Sequence, residues 1–174
     1  MSKIITETPR LIIREFNLDD VQAVYDFNAD ERVNLYTGDA GVVKSLADAE
    51  RIIRDIWLNE YLQFGYARWA VVLKETNSVI GFCGFKNDYR IDETDIGYRF
   101  APEYWGQGYA TEANQACIEY AKAHMDLDYI VGDVVDKNHA SINVLKKLGM
   151  SFNKKFQNLG FMIQRYDMYL KSKA

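Results

Sequence analysis

The chain changes its sequence pattern at Pro102. Before it, over residues 66–100, strand-like segments alternate with turn residues, which is typical of an antiparallel meander of three strands. After it, the loop W-G-Q-G runs into a helical pattern over about 109–124, and a buried-looking strand over about 127–135 precedes a second helix. A meander that switches to strand, helix, strand and helix predicts a mixed sheet with helices packed on its faces.

The remaining segments complete the predicted element order. A strand is expected over Leu11–Phe16, followed by a helix that opens near Asn17 and a second helix that Ser45 caps. Two final strands, about 150–157 and 161–171, close the chain around a turn. The order is therefore β-α-α-β-β-β-α-β-α-β-β, an α/β (α+β) fold with a mixed, mostly antiparallel central sheet of about seven strands.

Length and composition favour one globular domain over residues 1–174. The chain is 48% hydrophobic and 26% charged, which is close to globular averages and provides enough apolar residues for a core. The net charge is −4 and no Lys/Arg run stands out, so no direct nucleic-acid partner is expected. No apolar stretch approaches the roughly 18 residues of a membrane span, and we expect a soluble, cytoplasmic protein without a membrane partner.

Cys83 and Cys117 are expected to be core thiols. Neither belongs to a C-x-x-C pair, so no zinc or other metal site and no dithiol motif is predicted. Cys83 lies in the apolar run V-I-G-F-C-G-F, and Cys117 lies in a helical pattern.

The segment P-E-Y-W-G-Q-G-Y-A-T-E-A, Pro102–Ala113, has the chemistry of a phosphate-binding loop. Gly106 and Gly108 allow a tight turn and let a ligand approach the backbone, and the free N–H groups of the following helix carry a partial positive charge. No P-loop sequence is present, and a dinucleotide fingerprint would need Gly or Ala where Thr111 stands. The segment predicts a pyrophosphate cradle, with a plain glycine-containing loop before a helix as the alternative.

A second helix start follows the next strand. Asn138 is placed to cap this helix, Ser141 lies in its first turn, and Gly149 is a natural residue for its C-terminal turn. Two helix N-termini after neighbouring strands can open on one cleft at the carboxyl ends of those strands, where such sheets commonly bind ligands. A cap followed by an ordinary amphipathic helix is the alternative.

These stretches resemble the GNAT acetyltransferase superfamily, and within it the branch of ribosomal-protein N-terminal (alanine) acetyltransferases and related small-amine acetyltransferases. Three motifs carry the resemblance over about residues 8 to 170: T-P-R-L-I-I-R-E-F, D-I-G-Y-R-F-A-P-E-Y-W-G-Q-G-Y-A-T-E-A and N-H-A-S-I-N-V-L-K-K-L-G-M. The resemblance implies a GNAT fold in which the fourth strand (about 94–100) and the fifth (about 128–135) splay apart.

The resemblance also implies which residues bind acetyl-CoA. The superfamily motif Gln/Arg-x-x-Gly-x-Gly/Ala begins at Trp105, which stands in place of Gln or Arg, so diphosphate binding would rest on backbone amides. The pantetheine arm would lie between the splayed strands. The implied cofactor-binding residues are Tyr98, Arg99, Phe100, Trp105, Gly106, Gln107, Gly108, Tyr109, Ala110, Thr111, Asn138 and Ser141.

The implied reaction is direct attack of a primary amine on acetyl-CoA in a ternary complex, and it needs a neutral amine. An α-amine is roughly a tenth neutral at pH 7 and a Lys amine only about 0.04%, so a modest base suffices for the former. Asp95 is the candidate base, acting through a water, because it precedes Gly97 by two residues where family members often carry Glu. Glu93 and Glu103 are alternatives, and an ordinary solvated strand carboxylate is the other interpretation of Asp95.

Stabilisation of the leaving thiolate is expected from Ser141 first, with Tyr98 or Tyr166 as alternatives. A backbone N–H near Tyr98 is the expected donor to the oxyanion. Direct transfer needs no enzyme nucleophile. His124 is expected to be structural because it lies at a helix end, whereas His139 could edge the cleft.

By analogy with the family, Asn34, Tyr36 and Trp57 would contact the acceptor, although core or dimer packing would also explain the aromatic residues. The acceptor would be a protein N-terminus, such as that of a ribosomal protein, or a small-molecule amine. A catalytically inactive CoA-binding sensor or interaction module is the alternative function, and a nucleotide-binding regulator is a third. The sequence leaves monomer and homodimer equally open.

Overall fold

The computed structural model describes residues 1–171, so the last three residues of the predicted domain, 172–174, lie outside the described part. The described residues form one nine-stranded sheet with the order β1-β2-β3-β4-β5-β7-β9-β8, and β6 pairs with β4. The strands are β1 (Ile4–Glu7), β2 (Leu11–Arg14), β3 (Arg68–Leu73), β4 (Ser78–Asp88), β5 (Glu93–Ile96), β6 (Arg99–Phe100), β7 (Tyr129–Val135), β8 (Ser151–Asn158) and β9 (Phe161–Tyr169).

The pairing confirms a mixed, mostly antiparallel sheet, since only β5 and β7 pair in parallel. The sheet has more strands than the expected seven, for two reasons. The N-terminal segment adds β1 at one edge. The strand expected over about 94–100 is interrupted at Gly97, whose N–H donates to the carbonyl of Gly84 at 2.9 Å. A Cβ at Gly97 would lie 2.5 Å from Nη2 of Arg68, so this side chain occupies the space beside the interruption.

The fourth and fifth predicted strands splay apart, as expected. Asp95 and Val131 are the register partners between β5 and β7. Beyond them, β6 continues on β4 and β7 continues on β9. The strands therefore diverge, and a gap opens between them on the side where α5 and α6 begin.

The helices are α1 (Val21–Ala29), α2 (Glu31–Asn34), α3 (Leu46–Arg51), α4 (Leu58–Phe64), α5 (Tyr109–His124) and α6 (His139–Lys147). The predicted caps are confirmed: the side chain of Ser45 accepts from the N–H of Asp48, and that of Asn138 accepts from the N–H of Ser141. The expected second helix differs in one respect. A π-helical stretch, Ile52–Trp57, joins α3 to α4 and brings Ile53 and Trp57 into the core.

The helices pack on both faces of the sheet. Alternate strand residues point to opposite faces, so Trp69 packs with α5 whereas its neighbour Ala70 packs with α1 and the π-helical stretch. Cys83 and Cys117 are buried between β4 and α5 with 3.3 Å between their Sγ atoms, which confirms them as core thiols. Within residues 1–171, no helix combines the length and the apolar character that crossing a bilayer requires.

Candidate active site

Two cavities lie on either side of the point where β5 and β7 diverge. The wider cavity has a volume of about 600 Å³ and the narrower one about 340 Å³. Both are in the size range of small-molecule sites. The residues that line both cavities are Tyr36, Thr37, Tyr98, Arg99, Asn138 and Ser141.

The N-terminus of α5 forms one wall of the wider cavity. Gly108 is its N-cap in the left-handed region, with a φ of +83°, a conformation that suits glycine. The first N–H groups of a helix have no intrahelical partner and lie at the positive end of its dipole. Trp105 fixes the start of the loop, because its indole N–H donates to the carbonyl of Phe100 at 2.8 Å. The tryptophan thus supplies a structural bond in place of a ligand-binding polar group.

The N-terminus of α6 faces the same junction. The hydroxyl of Tyr98 donates to the carbonyl of Ser141 at 3.0 Å and so spans the gap between the diverging strand and the helix. Burial raises the pKa of Tyr98 to about 12, and its hydrogen bond with Ser141 offsets only part of this effect. The hydroxyl therefore remains a neutral hydrogen-bond donor across the physiological range.

The wider cavity is electropositive. Arg32, Arg99 and Lys147 line it, and no acidic side chain is among its lining residues in the described part of the chain. Arg32 and Arg99 are paired with Asp30 and Asp39, which lie outside the lining, so among the described residues Lys147 and the helix N-termini supply the unpaired positive charge. Together with two helix N-termini, these cations favour a ligand that carries several negative charges.

The narrower cavity contains carboxylates that are held by arginines. Arg68 is largely buried and donates to both oxygens of Asp95, at 3.0 and 3.2 Å. On β7 Asp133 accepts two hydrogen bonds of 2.8 Å from Arg165, whose remaining nitrogen binds Glu93 at 2.7 Å. The Arg165–Asp133 pair is bidentate, whereas Asp95 shares one nitrogen of Arg68 between its two oxygens. Both pairs hold the carboxylates in place, so these groups can orient a polar ligand without moving.

Two loops meet over the narrower cavity. Leu159, in the turn between β8 and β9, lies so close to Gly38 that a Cβ at Gly38 would be 3.2 Å from its Cδ1 atom. Both residues line the cavity, as does Tyr36 from the loop that follows α2. The cavity is therefore roofed by two separate segments of the chain.

The structure brings most of the predicted site residues together at these cavities. Those that line one or both are Tyr36, Asp95, Tyr98, Arg99, Phe100, Trp105, Gly106, Gly108, Tyr109, Ala110, Thr111, Asn138 and Ser141. Gln107 lies in the loop without lining a cavity, and its side chain donates to the carbonyl of Glu103 at 3.0 Å.

Two predicted acceptor contacts are placed elsewhere. Trp57 is buried in the core, stacked on Phe16 with 4.4 Å between ring centroids, because the π-helical stretch turns it towards the sheet. Its edge-on contact with Phe82 makes it a support behind the narrower cavity, not a lining residue. Asn34 also lines neither cavity, since its amide donates to the carbonyl of Asn28 at 2.7 Å and braces the following loop.

The structure also places the alternative acid Tyr166, the alternative base Glu93 and the two histidines. Tyr166 is buried, lines neither cavity and bonds to the side chain of Gln164. Glu93 is committed to Arg165, as described above. His139 is exposed and lines neither cavity, and His124 packs against the ring of Tyr120 with 4.8 Å between centroids.

Sequence reasoning missed Arg68 and Asp133, which both line the narrower cavity. Each is a charged residue in an otherwise apolar strand, R-W-A-V-V-L and Y-I-V-G-D-V-V. Charges in such runs are rarely buried without a partner. That pattern is the signal that could have identified both residues.

Comparison with known proteins shows which family the chain resembles. Residues 10–151 match the family described as an acetyltransferase (GNAT) domain. The chain is 33% identical over 143 residues to the uncharacterized N-acetyltransferase YnaD of Bacillus subtilis, a match that covers 82% of this chain and 80% of that protein.

Solved structures share the fold. A GNAT-family acetyltransferase from Bacillus anthracis superimposes with a TM-score of 0.80 at 26% identity, covering 94% of this chain and 97% of that one. RimL, a ribosomal L7/L12 alpha-N-protein acetyltransferase solved in complex with coenzyme A, superimposes with a TM-score of 0.83 at 18% identity, covering 96% and 98%.

Proposed function

The chain belongs to the GNAT acetyltransferase family, and we propose that it transfers the acetyl group of acetyl-CoA to a primary amine, on a protein N-terminus or on a small molecule. The observation that carries this proposal is the meeting of an electropositive cavity with a carboxylate-containing cavity at Tyr98 and Ser141. The first suits the polyanionic donor and the second suits the cationic form of the acceptor. The same fold binds coenzyme A in RimL.

The wider cavity fits the donor. A Cβ at Gly106 would have no neighbour within 4 Å, so the backbone of the loop is open to a ligand. The free amides at the start of α5 would bind the diphosphate, and Arg32 and Lys147 would add positive charge along the same cavity. The gap beside Tyr98 would admit the pantetheine arm.

Acetyl-CoA supplies the acetyl group as a thioester, whose carbonyl carbon the amine attacks directly. A C–N bond forms, the C–S bond breaks and CoA leaves as the thiolate. The amine loses its proton to solvent, and the thiolate takes up a proton from solvent to become the thiol. The hydroxyl of Tyr98 would turn from the carbonyl of Ser141 and donate its one hydrogen bond to the departing sulfur. Because the pKa of Tyr98 is about 12 and that of a thiol is near 8.5, Tyr98 stabilises the thiolate without surrendering its proton.

The narrower cavity would receive the acceptor. Arg68 engages both oxygens of Asp95, and we therefore assign this carboxylate to binding and orienting the ammonium group, not to removing its proton by itself. Solvent can take the proton, since roughly a tenth of an α-amine is already neutral at pH 7. This arrangement suits α-amines better than lysine side chains.

Incubation with acetyl-CoA and an amine panel tests the proposal. The panel contains N-terminal peptides, polyamines, aminoglycosides and amino acids, and product amide is measured by mass spectrometry alongside release of CoA. We expect turnover with at least one member and calorimetric binding of CoA. Binding of CoA without turnover on any amine would instead favour a non-catalytic CoA-binding module, for which the engaged Asp95 is the structural argument.

A further inference from the structure

Arg10 lies in the turn between β1 and β2, outside both cavities, yet it contacts the loop that leads into α5. Its Nη1 donates to the carbonyl of Gln107 at 3.0 Å. Its guanidinium carbon lies 4.2 Å from the centroid of the Tyr109 ring, and its Nη2 would be 3.5 Å from a Cβ at Gly108. One side chain therefore braces three consecutive residues at the start of the helix.

The same guanidinium neutralises Glu112, which lies in the first turn of α5. Nε and Nη2 of Arg10 are 2.7 and 2.6 Å from Oε2 of Glu112, and Thr8 donates to the other carboxylate oxygen at 2.6 Å. Burial acts to raise the pKa of Glu112, but the hydrogen bonds from Thr8 and Arg10 outweigh it and lower the pKa. Glu112 is thus a permanent negative charge beside a helix N-terminus.

Such a charge competes with an anionic ligand. A carboxylate in the first turn interacts favourably with the helix dipole, but it repels a diphosphate bound at the same end. The loop cannot correct this itself, because residues 105–111 contain no basic side chain and the polar group of Trp105 is bonded to Phe100. Arg10 is the cation that lies against this helix start.

We infer that Arg10 is a positioning residue of the donor site, which holds the loop carbonyl and cancels the charge of Glu112 so that α5 presents a positive N-terminus to the diphosphate. This inference rests on the proposed binding of acetyl-CoA. It assigns a role in donor affinity to a residue about a hundred positions away in the chain that lines neither cavity.

A cycle of charge-neutralising substitutions tests it. Arg10→Gln should raise the Kd for CoA and the KM for acetyl-CoA about tenfold with kcat within about twofold, because the uncompensated Glu112 opposes the diphosphate. Arg10→Gln combined with Glu112→Gln should recover most of the affinity, since the opposing charge is gone. Arg10→Lys should recover part, because it restores charge without the bidentate geometry.

Two comparisons exclude a merely structural role. S-acetylpantetheine lacks the diphosphate, so its kcat/KM should be the same for Arg10→Gln as for the unmodified protein. Lys74→Gln removes the ion pair of Lys74 with Glu7 on β1, 2.9 Å long, and serves as the matched control that leaves CoA affinity unchanged. Thermal unfolding of all variants measures any loss of stability separately.

The inference is overturned if Arg10→Gln leaves the Kd for CoA unchanged, if the double variant binds no better than Arg10→Gln, or if S-acetylpantetheine suffers equally. Its failure is distinguishable from that of the proposed function. Binding of CoA without any turnover would sink the transferase proposal while the Kd cycle still decides the role of Arg10. An unmodified protein that does not bind CoA would overturn both.

Discussion

The wider and the narrower cavity share a junction but differ in how they hold charge. In the wider cavity the charged lining residues are all cations, Arg32, Arg99 and Lys147, and helix N-termini add positive potential, although Arg32 and Arg99 are paired with Asp30 and Asp39 outside the lining. In the narrower cavity the carboxylates of Asp95 and Asp133 are each fixed by an arginine. One side of the junction is therefore built to attract an anion, and the other is built to orient a polar group in a set position.

One diverging pair of strands could thus form both of the proposed substrate sites. The backbone gap is common to both cavities, whereas their selectivity comes from side chains on separate elements. Changes on one side should alter the affinity for one substrate and leave the other unaffected. The following substitutions test that separation, starting with the largest expected effect.

Thr111→Glu would add a negative charge to the wider cavity, because it places a carboxylate in the cavity wall at the start of α5. We expect the Kd for CoA to rise about 30-fold, or about 2 kcal/mol, because the new charge opposes the diphosphate. Calorimetric titration with CoA measures this. Thr111→Gln is the matched neutral control and should bind within about threefold of the original protein. Equal affinities for both variants would show that the donor phosphates lie elsewhere.

Asp95→Asn tests what the narrower cavity contributes to binding of the acceptor. If Asp95 orients the ammonium group, the acceptor KM should rise about tenfold, the kcat should fall less than threefold and the Kd for CoA should not change. A general base would behave differently, since its loss should lower the kcat by about a hundredfold or more. Steady-state kinetics with the best amine of the panel separate the two outcomes.

Tyr98→Phe acts at the junction itself. Removing the hydroxyl deletes one hydrogen bond, worth about 1 kcal/mol, so we expect the kcat to fall about fivefold. The Kd for CoA should stay within about twofold, because the diphosphate is bound at a distance from this hydroxyl. Stopped-flow measurement of a single turnover shows whether the chemical step is the one affected. An unchanged single-turnover rate would remove Tyr98 from the mechanism.

Alkaline pH gives a further test of Tyr98. Its pKa is raised from 10.0 to about 12 in the folded protein, so the folded state holds the proton more tightly than the unfolded state does. Its contribution to stability is complete below pH 10 and is lost as the pH rises through about 12. Urea unfolding between these pH values should therefore show a smaller loss for Tyr98→Phe than for the unmodified protein. Parallel losses would contradict the raised pKa.

Leu159→Ala should have the smallest effect. The side chain is 73% exposed, so stability should change by no more than about 0.5 kcal/mol. Opening the roof above Gly38 should lower the KM of bulky amines about two- to threefold and leave small amines unaffected. Kinetics with a size series of amines measure this. A uniform change across the series would argue that Leu159 does not limit acceptor size.

The sequence predicted what depends on local chemistry. Ser45, Asn138 and Gly149 occupy helix ends that short-range hydrogen bonding and backbone preference determine, and the structure places them there. The position of two helix starts after neighbouring strands also predicted that the N-termini of α5 and α6 belong to one cleft, which their joint lining of the wider cavity supports.

The rest depended on contacts between distant residues. Glu93 binds Arg165 and Arg10 binds Glu112, pairs separated by 72 and 102 positions that no periodicity reveals. Trp57 was misplaced for a related reason. A regular helical pattern does not show the π-helical stretch that turns this residue into the core.

The buried thiols of Cys83 and Cys117 can report how often α5 separates from the sheet. They lie between β4 and α5, fully shielded, so a thiol reagent can reach them only when this helix separates from the sheet. The labelling rate therefore counts openings of the helix whose first turn is the proposed anchor for the donor. Ligand bound at that turn should make such openings rarer and so lower the labelling rate of both cysteines. The native thiols are sufficient for this measurement, and no probe has to be introduced.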